Sequence, residues 1–195
     1  MDTWVIIAIA VAAIVVVAAV IALWAYSRSR RTRDLRDRFG PEYERTVTEM
    51  GRDKGEKDLL ARKNRVGVLD VRPLTRDEYD QYTTAWTATQ ARFVDDPSTA
   101  ISEADDLVAD VMKTRGYPVD DDFERRAADV SVDHPAMVAN YRAAHETTLR
   151  HEEGDATTEE LRQAMVKYRA LFADLLETGD RAERETAATS EPRRA

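Results

Sequence analysis

The sequence has no cysteine. That excludes disulfides, thiolate zinc sites, iron–sulfur clusters and a cysteine nucleophile. It has three histidines, His134, His145 and His151, in 195 residues. Imidazole chemistry is therefore confined to very few positions. The seven glycines form neither a phosphate-cradling loop nor a G-x-S-x-G elbow. Alternating β-branched runs bounded by Asn-Gly or Asp-Gly are missing, and with them the usual strand and hairpin signals.

Positive charge is short in most of the chain and concentrated in one place. The net charge is −8. Arg28, Arg30, Arg31, Arg33, Arg36 and Arg38, offset by Asp34 and Asp37, leave +4 in one short neck. Residues 39–195 hold 34 acidic against 23 basic side chains, or −11. A body of that charge is repelled by phosphate, so nucleic acid is not an expected partner.

What the sequence does have is a run of 23 uncharged residues from Trp4 to Tyr26, without glycine or proline. As a helix it would span about 34 Å, against about 30 Å for a hydrocarbon core. Trp4 at one end, with Trp24 and Tyr26 at the other, suit the two headgroup levels. A cleaved signal peptide would need a basic n-region, a shorter apolar core and a cleavage site, and the run fits none of these. The arginines follow the run directly. Positive residues stay inside, which predicts a single-pass protein of the cytoplasmic membrane with its N-terminus outside and its body in the cytoplasm. The six arginines are then expected at lipid headgroups. Ala8 with Ala12, and Ala18 with Ala22, are small-residue pairs that could pack a second helix, but such pairs are common in any Ala-rich span and the expectation is a lipid-facing helix.

Beyond the neck the periodicity is helical throughout. Pro41 suits a helix start. Either one long helix runs to about Leu69, or two meet near Gly55; the expectation is one. Thr75 with Glu78 and Thr157 with Glu160 are capping-box patterns. Asp96 with Pro97 opens another helix, and Gly116 and Gly154 close two more. Tyr79, Tyr82, Trp86 and Phe93 mark one face. Leu161, Ala164, Met165, Tyr168, Leu171, Phe172, Leu175 and Leu176 repeat at three- and four-residue steps, with Gly179 as the expected stop. The fold class predicted is all-α: a transmembrane helix, a long helix, then a helical bundle. The expected segments are 1–3 outside, 4–26 in the membrane, 27–40 as basic neck, 41–178 as acidic domain and 179–195 as disordered tail.

Chemistry is thinly signalled. His134, in Asp133-His134-Pro135, is either a base oriented by a carboxylate or a helix-entry residue beside a capping aspartate. His145 shares helical spacing with Val138 and Tyr141 and reads as half-buried. His134 and His145 are thus the weak candidates for a pocket. His145 and His151 are six apart and do not share a face. The Asp95-Asp96, Asp105-Asp106 and Asp120-Asp121-Asp122 clusters lack the ligand order of a calcium loop. No catalytic residue, metal ligand or cofactor site is predicted.

FGPEY (39–43), RGYPV (115–119), FERRAADVSVDHP (123–135), YRAAH (141–145) and ELRQAMVKYRALF (160–172) resemble a family of small bacterial proteins from GC-rich soil organisms. The resemblance covers nearly all of residues 35–178. It implies one domain over that stretch; the family has no assigned activity, so no site residue is carried over.

The expectation is a non-enzymatic membrane-tethered module that binds another protein through the faces carrying Trp86 and Tyr168. A membrane-bound enzyme or ligand sensor near His134 and His145 is a second expectation. A third is a self-associating organiser in which Leu161, Tyr168 and Leu175 pair between copies.

Overall fold

The computed structural model describes residues 3–119 and 122–190, with side chains described for Trp4, Ala12, 15–119 and 122–177. The elements are α1 (Thr3–Phe39), α2 (Pro41–Met50), α3 (Arg52–Val66), α4 (Arg76–Arg92), α5 (Pro97–Thr114), α6 (Phe123–Val130), α7 (Pro135–Glu152) and α8 (Thr158–Ser190). Among the described residues there is no strand, and the chain folds as an all-α bundle.

Local chemistry sets most helix ends. Thr75 and Glu78 form the full reciprocal capping box of α4. Thr157 and Glu160 make the same pair of bonds before α8, at 2.8 and 3.3 Å. The Asp96 side chain accepts from the Thr99 amide, with Pro97 in the first turn of α5. At the far end of α5, Tyr117 N–H donates to Met112 O and Gly116 N–H to Lys113 O, the two bonds of a Schellman motif. Gly116 has φ +96°, and a Cβ there would meet the Asp70 carbonyl at 2.5 Å. Glycine is required on both counts.

The core is built on α7 and α8, which pack most extensively, with α5 against α8 and α4 outside α5. Tyr141, Tyr168, Ile101, Leu171 and Leu175 are fully buried there. The α2–α3 hairpin leans on α7 and receives the end of α1.

Several expectations need correction. The long first helix is two. Gly51, at φ +79°, turns the chain between α2 and α3. Gly55 lies inside α3, where a Cβ would sit 3.1 Å from Thr46 O, so it allows the two helices to approach closely. Gly179 does not stop α8, and residues 179–190 continue as helix. Alanine, glutamate and arginine dominate that stretch, and one internal glycine costs only about 1 kcal/mol. Residues 191–195 of the expected tail, and the first two residues of the expected outer segment, lie outside the described residues. His134 is the N-cap of α7 and makes no side-chain capping bond. Asp133 instead accepts from Tyr117 Oη at 2.7 Å. Leu149 is exposed, while Thr148 turns in and meets Tyr168 Oη at 3.3 Å.

The predicted location in the cytoplasmic membrane is also corrected. Among the described residues, no helix is long and apolar enough to cross a membrane. Residues 5–11, 13 and 14 of the run, including Ala8, lie outside the described side chains. Trp4, Trp24 and Tyr26, the predicted interface anchors, are all exposed.

The helix has no break at the expected 26/27 boundary. α1 runs on to Phe39, and Leu35 and Phe39 are fully buried against the body. The expected neck is therefore part of the domain. Glu56 explains the attachment. It accepts from Thr32 of α1 at 2.7 Å, from Tyr43 of α2 at 3.1 Å and from Arg52 of α3 at 3.1 Å. Burial pushes its carboxyl up, and these three donors outweigh burial, so its pKa falls below the ordinary value.

Candidate functional site

α4 and α8 both pack on α5 and leave a groove between them, bridged at its base by one aromatic pair. Tyr82 of α4 meets Thr114 late in α5, and Arg92 meets Glu103 early in α5, so α4 and α5 are antiparallel. Asp105 of α5 lies beside Tyr168 of α8, and Arg115 donates to Leu175 O, so α5 and α8 run in the same direction. With α5 beneath them, α4 and α8 form the two antiparallel walls of a groove of about 330 Å³.

Its floor is aromatic. Trp86 of α4 stacks on Phe172 of α8 with ring centroids 4.6 Å apart and planes 22° from parallel. Both rings are buried, with Trp86 only 6% exposed. Trp86 Nε1 finds no acceptor among the described residues. It shares this with buried polar atoms elsewhere in the fold, among them Asp129 Oδ2 and Arg142 Nη2.

Its rim is small and polar. Thr83, Thr87 and Gln90 line the α4 side; Arg169, Ala173 and Glu177 line the α8 side. All six are exposed. Arg169 and Glu177 have no ion pair among the described residues, in a protein where most arginines are paired. Val166 continues the α8 stripe outward and is 53% exposed, while Val94, beyond Gln90 at the end of α4, is 83% exposed. Both lie toward the same end of the groove.

The residues predicted for binding distribute unevenly. Trp86 is in the groove. Tyr168 is fully buried in the core. Leu161 and Leu175 are buried with it, so these three cannot pair between copies as predicted; they hold α8 to α5 and α7. Missed at the sequence level were Arg169, Ala173 and Glu177. Their four-residue spacing on the outward face was the available signal.

The histidines sit elsewhere. His134 is 3% exposed. Its Nδ1 lies 2.5 Å from Asp174 Oδ2, and its Nε2 lies 3.3 Å from Arg115 Nη1. A proton on Nδ1, with Nε2 accepting, suits both contacts. Arg115 also donates to Arg72 O at 3.3 Å and Leu175 O at 2.9 Å. Burial lowers the Arg115 pKa from its ordinary value. Burial, then the neighbouring Asp133 carboxylate, pushes the Tyr117 phenol well up. This cluster fastens the end of α5 and the start of α7 to the middle of α8 and does not line the groove. His145 stacks on Phe123 at 3.6 Å between centroids, with Nδ1 3.7 Å from Asp105 Oδ2. Neither histidine opens onto the groove. Among the described residues, no three His, Asp or Glu side chains gather as a metal site requires.

The neck arginines are partly spoken for. Arg28 pairs with Asp53. Arg36 reaches Glu44 at 2.9 Å and lies over the Tyr43 ring. Arg38 approaches Asp133 at 3.6 Å. These contacts tie α1 to the body. Arg30, Arg31 and Arg33 are exposed, as is most of that turn.

No family model, curated protein or solved structure matches this chain.

Proposed function

We propose that the chain is a non-enzymatic protein-interaction module whose docking face is the groove between α4 and α8. The observation that carries this reading is the Trp86–Phe172 floor. It is an aromatic pair at the base of an open groove, with an unmet Nε1 donor and a rim of short or unpaired side chains. Interfaces concentrate their energy in such aromatic anchors, surrounded by polar residues that exclude water. An enzyme reading is less well supported, because the titratable clusters around His134 and His145 hold helices together and do not face the groove.

The chain has no cysteine, so single cysteine variants report accessibility cleanly. Thr87→Cys, on the rim, should react with a maleimide several-fold more slowly in cells than as dilute purified protein. Glu152→Cys, exposed at the end of α7, should react equally in both. Equal rates at position 87 would remove the groove as a docking face.

A further inference from the structure

The outward stripe of α8 is self-complementary. Val166, Arg169, Ala173 and Glu177 are exposed and follow one another at three- or four-residue steps. Such steps place side chains on one face of a helix. Arg169 and Glu177 lie four residues before and four residues after Ala173. A second α8 laid antiparallel across the first, with a two-fold axis at Ala173, brings Arg169 opposite Glu177 of the other copy. The same operation brings Glu177 opposite Arg169. Ala173, with only a methyl group, meets itself at the axis, where small side chains let two helices approach closely. This is the isologous arrangement that two-fold dimers require.

We infer that the occupant of the α4–α8 groove is a second copy of this chain, docked through α8 about Ala173. The inference rests on the reading of this groove as a docking face and names its partner. Three observations favour a copy over an unrelated protein. The two rim charges are opposite in sign and equidistant from a small central residue. Neither is neutralised within the described part of its own chain, unlike Arg162, which is held by Glu159 one turn earlier on the same helix. The flanking wall of α4 presents Thr83 and Thr87, short enough to admit a neighbouring helix beside α8. A helix seated there covers the edge of the Trp86–Phe172 stack, and reciprocal pairing fixes its register.

The test uses the full chain in a mild detergent that covers the exposed apolar face of α1. Ala173→Cys places a thiol on the proposed axis, where two copies meet within disulfide range. Under mild oxidation it should form a covalent dimer rapidly, while Glu152→Cys should not. Adding Arg169→Glu sets two like-charge pairs across the axis and should slow cross-linking about tenfold. Glu177→Arg should do the same. Mixing the Arg169→Glu chain with the Glu177→Arg chain makes both cross-axis pairs attractive again and should restore the rate. Recovery on mixing requires both variants to be folded, so misfolding cannot imitate it. Failure of Ala173→Cys to cross-link, or cross-linking indifferent to both charge reversals, overturns the second copy as occupant. If Thr87→Cys is nevertheless protected in cells, the groove takes a different protein and only the dimer falls.

Discussion

Glu42 and Arg142 stand 100 residues apart in sequence and are joined at 2.7 Å between Oε2 and Nη1. Glu42 is 3% exposed, and its other oxygen accepts from Arg62 at 2.8 Å. One buried carboxylate thus binds the α2–α3 hairpin to α7. A buried charge is tolerated only when paired, and removing this carboxylate sets two guanidinium groups against each other, with Asp58 on Arg62 at 2.7 Å and Glu124 on Arg142 at 3.2 Å as their remaining partners. Glu42→Gln is expected to destabilise the fold by about 3 kcal/mol. Urea unfolding followed by circular dichroism checks this. Unchanged stability would mean that the hairpin is held by its apolar contacts alone.

Leu35 decides where the domain begins. It lies in the arginine-rich stretch yet is fully buried, with Phe39 one turn later. Leu35→Ala should cost about 3 kcal/mol, the ordinary price of a large core truncation. If residues 27–40 were only a neck, the same change would leave the unfolding midpoint where it was.

Acid should act through the helix caps. Glu78 is held at about 2, first by the Arg72 hydrogen bond and then by the Thr75 amide. Glu160 is held at about 2 by the Thr157 amide, then by the Thr157 hydroxyl and Arg150. Both values lie below the ordinary 4.5 for glutamate. A carboxyl depressed in the folded state contributes stability above its unfolded pKa and loses that contribution as pH falls toward its folded pKa. The thermal midpoint should therefore decline between about pH 4.5 and about pH 2. The double variant Glu78→Gln, Glu160→Gln should start lower at neutral pH and decline less over that interval. Parallel curves for the two proteins would place the acid sensitivity elsewhere.

These three sites show what a sequence can reveal. The caps at Thr75, Asp96 and Thr157 were legible because their chemistry is local, three residues from side chain to amide. The α8 core stripe was legible because helical periodicity carries it. Glu42, Asp129 and Arg115 were not legible. A buried charge looks like any solvated one until a partner arrives from a distant helix, as Arg65 does for Asp129 across 64 positions. The break at Gly51 was missed because two glycines in GRDKGEKD compete for one turn. The fold assigns the left-handed turn to Gly51 and the close helix contact to Gly55.

The groove was half legible. Trp86 announces itself as a large aromatic at helical spacing, but its stack on Phe172 depends on α5 holding two remote helices at the right separation. The outward stripe of α8 was passed over because polar residues on a helix exterior ordinarily do no more than meet water. Arg169 and Glu177 differ in having no ion pair among the described residues on either side of Ala173, which only the placement of their neighbours reveals.

The most direct test of the α8 stripe as an interface is sedimentation of the full chain against Ala173→Arg over a concentration series. Arginine at the axis would set two like charges and two long side chains against each other, while leaving an exposed helical position helical. The expected result is a wild-type dimer that dissociates on dilution and a variant that remains monomeric throughout with an unchanged helical spectrum. Identical sedimentation of the two proteins would contradict the account.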